Sequence, residues 1–350
     1  MGWILKFLLT FIYLNVNAQM YFPSNQTEDW ETISPQILGW ETSKIDSLYQ
    51  FLEANNTKAF ILLKDGKIVL EKYFNGQTKD SKWYWASAGK SLTAFMIGIA
   101  QQEKYLKISD PTSHYLGKEW TNCPEDKEKK ITILNQLSMT TGLAVNPKSA
   151  SCTEKECLQY KTDAGKQWAY HTAPYTLLDQ VIEYATGNSL NQYIQDKLNI
   201  TTGIKGQFVK IKENNVFIST ARSMARFGLL ILNKGNWNGE QILKDSTYFN
   251  EMTHSSQNLN PSYGYLWWLN GKSKFMLPNT QMIFDGPLFP DAPIDLISAL
   301  GKNGQFINVI PSQNMVWIRM GNAPDDSPIS FPLNNKIWKY IDALTQNHSE

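Results

Sequence analysis

Histidine and cysteine are scarce in this chain: four His and three Cys among 350 residues. The histidines (114, 171, 254, 348) show no H-E-x-x-H spacing, and no C-x-x-C occurs. Metal-dependent chemistry is therefore not expected, and neither a metal nor an organic cofactor is called for. An excess of one charge is also lacking. The net charge is +1, and the mixed run Asp126-Lys127-Glu128-Lys129-Lys130 reads as a solvated face. That argues against nucleic acid or an anionic membrane surface as main partner. Internal repeats and low-complexity linkers are missing too, which argues against solenoids and a bead-like domain chain.

Long apolar runs are confined to the start. Lys6 precedes the apolar stretch Phe7–Leu14, and Val16-Asn17-Ala18 offers small residues for cleavage. Residues 1–18 read as a secretory signal, too short for the roughly 20 apolar residues that span a bilayer. An uncleaved anchor is the alternative. The expected location is periplasmic or secreted, with no integral membrane segment after signal removal. Without residues 1–18 the chain has 32 basic and 32 acidic residues. Export permits a disulfide. Cys152 and Cys157 are the expected pair, with Cys123 left over.

What is present is ample apolar and aromatic material, 42% and 13% of the chain. The pattern 42–56 is helical after a Thr/Ser cap. Residues 59–74 place Asp65-Gly66 between two apolar runs, a hairpin signal. Helical patterns start at Ser87 and occupy 174–198 and 221–235, the last closed by Gly235. Strand-like runs return at 305–310 and 315–319, and 333–346 is a terminal helix. Strands at both ends and helices between them predict an antiparallel sheet built from both chain ends, flanked by helices, with a mostly helical insert. The expected division is a sheet part at about 40–84 and 275–350 and a helical part at about 85–274, within one domain spanning 19–350. The cleft between them is the natural place for a site.

Ser87-Ala88-Gly89-Lys90 opens the first long helix. Positions i and i+3 share a helix face, so serine and lysine can reach one point. A serine hydroxyl needs a base to become a nucleophile. A lysine can be that base when burial and a helix N-terminus lower its pKa. Backbone N–H groups there also suit an oxyanion. By itself S-x-x-K is a common tetrapeptide. A Ser-His-Asp arrangement would need a G-x-S-x-G elbow, and Trp85-Ala86-Ser87-Ala88-Gly89 lacks its first glycine. His171 reads as a surface residue, and Trp83, Trp85, Trp267 and Trp268 mostly as core.

Several segments in order supply context. WASAGKSLTAFMIGIAQQEKYLKISDP (85–111), ITILNQLSMTTGL (131–143), WAYHTAPYTLLDQVIEYATG (168–187), STARSMARFGLLILNKGNWNGEQIL (219–243), YGYLWWL (263–269) and GKNGQFINVIPSQNMVWIRMGN (301–322) are similar to stretches of the serine beta-lactamase and penicillin-binding superfamily. The nearest likeness is to its class C-like branch, with the esterases and 6-aminohexanoate-dimer hydrolases. The resemblance spans roughly residues 40–345. It implies an α/β fold of the α+β type, beta-lactamase/transpeptidase-like. It implies Ser87 as acyl-accepting nucleophile, Lys90 as its proton partner and Tyr170 as second acid/base. A tyrosine, with a reference pKa of about 10, would need that value lowered, or a proton network with Lys90.

Two departures stand out. Thr172 occupies the usual Asn position of the second motif and cannot present an amide. Lys302-Asn303-Gly304 reads as K-x-G, but the register from Val309-Ile310-Pro311 makes Gly301–Gln305 closer to the G-x-x-G-Q of the amide hydrolase and esterase branch. Backbone near Gly301 and Lys302 is expected to supply an oxyanion donor, with Gly304 and Thr172 as further substrate-binding candidates. The expected function is an exported serine hydrolase acting on an amide or ester of a small molecule or short peptide. A penicillin-binding, D-Ala carboxypeptidase or beta-lactamase activity is the alternative. A non-catalytic sensor or binding module is the reading from another class.

Overall fold

A computed structural model of the chain describes residues 20–324 and 329–346. The expected signal at 1–18 lies outside the described residues. Strands β1 (Thr57–Lys64) and β2 (Lys67–Tyr73) form the expected hairpin. Asp65 and Gly66 have φ of 50° and 83°, the left-handed pair that a two-residue hairpin turn needs. A Cβ on Gly66 would lie 1.9 Å from the Tyr21 carbonyl oxygen, so only glycine fits.

The antiparallel sheet closes with strands from the other end of the chain. Counting β3 as Lys82–Tyr84, β4 as Gly206–Ile211 and β5 as Asn214–Thr220, these strands are β6 (Trp268–Leu269), β7 (Ile297–Gly301), β8 (Gln305–Ile310) and β9 (Met315–Gly321). The order is β2-β1-β9-β8-β7-β6, with β9 pairing β1 from Thr57↔Gly321 to Lys64↔Met315. Alternate residues of β9 face opposite sides. Val316 meets the helix Ala221–Leu232, where a Cβ on Gly228 would come within 2.6 Å of its Cγ1. Trp317 meets Trp338 of the helix Phe331–Thr345, ring centroids 5.5 Å apart. Helices thus cover both faces. Ile45–Ala54 packs beside the C-terminal helix.

Two helices of the middle section carry the site: α1 (Gly89–Gln102) and α2 (Thr172–Thr186). Every residue of α1 from Gly89 to Ala100 is buried, because α2, the sheet and the small sheet β3-β5-β4 enclose it. That small sheet is separate from the main one. β3 pairs β5, not the main sheet, and the helical part contains strands. Its reason is local: Phe208 and Phe217 face each other across β4 and β5 and cover Gly89 at the start of α1. The helix expected over 174–198 is also broken. It ends at Gly187, φ 73°, and restarts at Leu190 behind Ser189, whose side chain accepts from the Gln192 amide. Cys152 and Cys157 form a disulfide, Cα atoms 5.9 Å apart, and Cys123 is unpaired. No helix among the described residues is long and apolar enough to cross a membrane.

Candidate active site

The turn that presents Ser87 is fixed from behind. Trp85 is fully buried, its indole N–H donating to Ser219 Oγ (2.7 Å) and its amide to the Phe217 carbonyl (2.8 Å). Ala86 then takes φ 48°, a left-handed conformation costing a non-glycine residue about 1 kcal/mol. Ala86–Ala88 form a short 3-10 turn leading into α1. The end of β7 lies against this turn. A Cβ on Gly301 would sit 2.3 Å from the Trp85 carbonyl oxygen and 3.0 Å from the Ala88 amide nitrogen. Glycine at 301 therefore lets a strand end reach the backbone on either side of Ser87.

Lys90 is 3% exposed, and its Nζ lies 3.1 Å from Ser87 Oγ. The expected i, i+3 geometry is formed. Burial lowers the lysine pKa to about 7, and the Asp179 carboxylate opposes that fall. Two aromatic rings surround the amine, with centroids 4.3 Å (Tyr175) and 5.4 Å (Tyr170) from Nζ.

Tyr170 comes in from the stretch before α2. Met139, itself at φ 59°, holds that stretch: its carbonyl accepts from the Ala169 amide (2.9 Å) and its Sδ from the His171 amide (3.4 Å). Trp268 stacks on the Tyr170 ring at 5.8 Å, and Tyr263 meets it edge-on at 6.3 Å. Trp268 is thus a buried site wall as well as core. Burial pushes the Tyr170 pKa up, against a hydrogen bond with Ser87 that lowers it. The net rise departs from the lowering that phenolate chemistry would need. Near neutral pH Tyr170 is therefore a phenol, able to donate a proton but not to accept one as a phenolate, whereas the Lys90 amine titrates in that range.

The remaining candidates separate. Thr172 opens α2, two residues from Tyr170, and is half-buried. Lys302 is exposed. Gly304, φ 72°, turns to Arg319 instead of Ser87: its carbonyl accepts from Nη1 at 2.7 Å, and a Cβ there would meet Nη1 at 2.3 Å. His171 is buried at 3% exposure, correcting the surface expectation. Its ring Nδ1 has no hydrogen-bond partner, and burial lowers its pKa to about 4. Packing between Met139 and the start of α2 explains the burial. Tyr175 and Asp179 were not singled out by the sequence, although they recur at i and i+4 on α2, the face turned to α1. Beside Tyr170 lies a cleft of about 150 Å³, lined also by Leu143, Lys161, Gln167 and Gln281. Gln281 Nε2 donates to the Trp168 carbonyl at 3.2 Å, tying the loop after β6 to the cleft.

Comparison with known proteins identifies the family and the fold. The Beta-lactamase family model matches residues 52–337. An uncharacterised protein of Alkalihalophilus pseudofirmus is 24% identical over 337 residues, covering 84% of this chain and 92% of its own. The 6-aminohexanoate-dimer hydrolase of Paenarthrobacter ureafaciens is 21% identical, covering 81% of this chain and 77% of its own. A solved Bacillus anthracis structure, provisionally assigned as a 6-aminohexanoate-dimer hydrolase, superposes with a TM-score of 0.70 at 19% identity, covering 94% of this chain and 92% of its own. The chain belongs to the Beta-lactamase family and has its fold.

Proposed function

We propose that this member of the Beta-lactamase family is an exported serine hydrolase that cleaves an amide or ester bond through an acyl-enzyme on Ser87. The observation that carries the reading is the buried Lys90 amine, 3.1 Å from Ser87 Oγ and shifted by burial to about 7. At that value a large share of the amine is neutral at physiological pH and can take the hydroxyl proton. Ser87 attacks the substrate carbonyl carbon. The Ser87 amide and the strand end at Gly301 hold the resulting oxyanion. Tyr170 gives its proton to the leaving nitrogen or oxygen and recovers one from the protonated Lys90. A water molecule then attacks the acyl carbonyl carbon, the bond to Ser87 Oγ breaks, the water's proton passes through the Tyr170–Lys90 pair to Oγ, and the acid leaves.

Export rests on the signal-like residues 1–18 and fits the Cys152–Cys157 disulfide. An amide or ester is favoured over a beta-lactam by the Gly301–Gln305 pattern, in which Gly301 and not a K-x-G lysine meets the nucleophile turn. A fluorophosphonate probe tests the nucleophile: intact wild type labels and Ser87→Ala does not. Labelling that survives Ser87→Ala rejects the reading. A panel of p-nitrophenyl acetate, a 6-aminohexanoate dimer, nitrocefin and a D-Ala-D-Ala peptide tests the substrate. Turnover of the first two is expected to exceed that of the others. A stable adduct with no product from any of them would favour a binding module.

A further inference from the structure

We propose that Asp179 is the positioning partner of Lys90, a buried carboxylate on the face of α2 turned to α1 that sets the charge the amine carries beside Ser87. The assignment rests on Lys90 serving as the base for Ser87.

Asp179 is 5% exposed, on a helix whose other buried positions are mostly apolar. A carboxylate so placed costs several kcal/mol unless it is hydrogen-bonded or faces an opposite charge. One oxygen is provided for: Oδ2 accepts from Asn215 Nδ2 at 2.8 Å, across from β5. The other, Oδ1, makes no hydrogen bond. The groups around the carboxylate are few. Lys90 and Thr93 face it from α1, Tyr175 and Glu183 from its own helix, and Asn215 from β5. Around Lys90 stand Ser87, Tyr170, Tyr175 and Asp179. Among the described residues, Lys90 is the cation that favours the charged form of Asp179, and Asp179 the anion that favours the charged form of Lys90. Tyr175 stands one helical turn before Asp179, its ring 4.3 Å from the amine and its hydroxyl 3.5 Å from Thr93 Oγ1.

The electrostatics runs in a consistent direction. Burial alone drives the amine toward its neutral form; the negative charge of Asp179 raises its proton affinity. Burial likewise raises Asp179 to about 7, with Asn215 and Lys90 favouring its charged form. The two groups therefore change charge over one pH range. A structural carboxylate that merely joined α2 to β5 would have no effect on that range.

The test is the pH profile of Ser87 labelling by the fluorophosphonate in wild type, Asp179→Asn and Asn215→Ala. Asp179→Asn removes the anion, so the acid limb moves down by about one unit, and the plateau falls several-fold because the base is weaker. Asn215→Ala, on a half-buried strand position, leaves Asp179 protonated to higher pH and moves the limb the same way by less. It serves if Asp179→Asn does not fold. A labelled wild type whose limb stays in place in both variants overturns this assignment alone. A wild type that never labels at Ser87 overturns the hydrolase reading and this assignment with it.

Discussion

Three cations are buried among the described residues, Lys90, Arg226 and Arg319, and the first and the last are treated oppositely. Arg319 on β9 is fully buried, and each nitrogen is used: Nε donates to Thr57 Oγ1 (2.9 Å), Nη1 to the Asn303 and Gly304 carbonyls (3.2 and 2.7 Å), Nη2 to those of Asn55 and Asn322 (2.6 and 2.9 Å). Lys90 on α1 is almost as buried, yet it has one hydrogen bond, to Ser87, and two ring faces. Burial lowers both, to about 9 for Arg319 and about 7 for Lys90. Five acceptors leave the guanidinium a brace. The ammonium group, with three donors and one oxygen to meet, is left ready to lose its proton. The brace also serves the site, since Arg319 fixes the β7–β8 turn that follows Gly301, the strand end abutting the Ser87 turn.

If that contrast is right, Lys90→Met and Arg319→Met will fail in different ways. Lys90→Met removes the base and is expected to cost about 10³-fold or more in kcat/KM on an ester substrate, without lowering the melting temperature, because an under-bonded buried charge is removed. Arg319→Met strands four carbonyl oxygens and is expected to lose about 3 kcal/mol or more in urea unfolding. A destabilised Lys90→Met beside a stable Arg319→Met would reverse the comparison.

Gly301→Ala probes the link between the two regions. The added Cβ would fall 2.3 Å from the Trp85 carbonyl oxygen, backbone that cannot rotate away. The strand end or the Ser87 turn must shift. The expected loss is about 10²-fold in acylation rate, as for a missing oxyanion donor, with about 1–3 kcal/mol of stability. Normal labelling and normal turnover in this variant would separate Gly301 from the site.

The readable part of this site was the part encoded locally. Ser87 and Lys90 are three residues apart, across the short 3-10 turn and the first turn of α1, so their meeting needs no tertiary knowledge. Asp65-Gly66 and the strands around 305–319 are legible for the same reason. Asp179 is the opposite case. An acid in TLLDQVIEYAT reads as a solvated position, and its burial depends on Asn215, 36 residues on, folding across it. His171 was misplaced because its burial is set by Met139 in a separate segment. Gly301 and Gly304 look alike in GKNGQ, and only the strand pairing turns one to Ser87 and the other to Arg319. The break at Gly187 was within reach, since Gly187-Asn188-Ser189 is a stop followed by a cap, but the apolar period continues through it.

The smallest effect, and the most diagnostic, is in pH. Lys90 acts when neutral, so activity is expected to rise about tenfold per unit below about 7 and to level above it. Arg319, at about 9, keeps its charge throughout this range, and His171, at about 4, has already lost its own. Neither supplies a limb near 7. Stability carries the same signature with a definite sign. Between about 7 and the free-lysine value of 10.5, the unfolded chain holds a proton that folded Lys90 has released, so this group's contribution makes stability rise with pH. Between 3.8 and about 7, folded Asp179 holds a proton that the unfolded chain has lost, so its contribution makes stability fall with pH. Melting temperatures measured from pH 5 to 10 on wild type and Lys90→Met isolate the lysine part. The difference between the two proteins should narrow as pH rises past 7. A constant difference would mean that the buried amine does not titrate there, and the brace and the base would no longer be distinct.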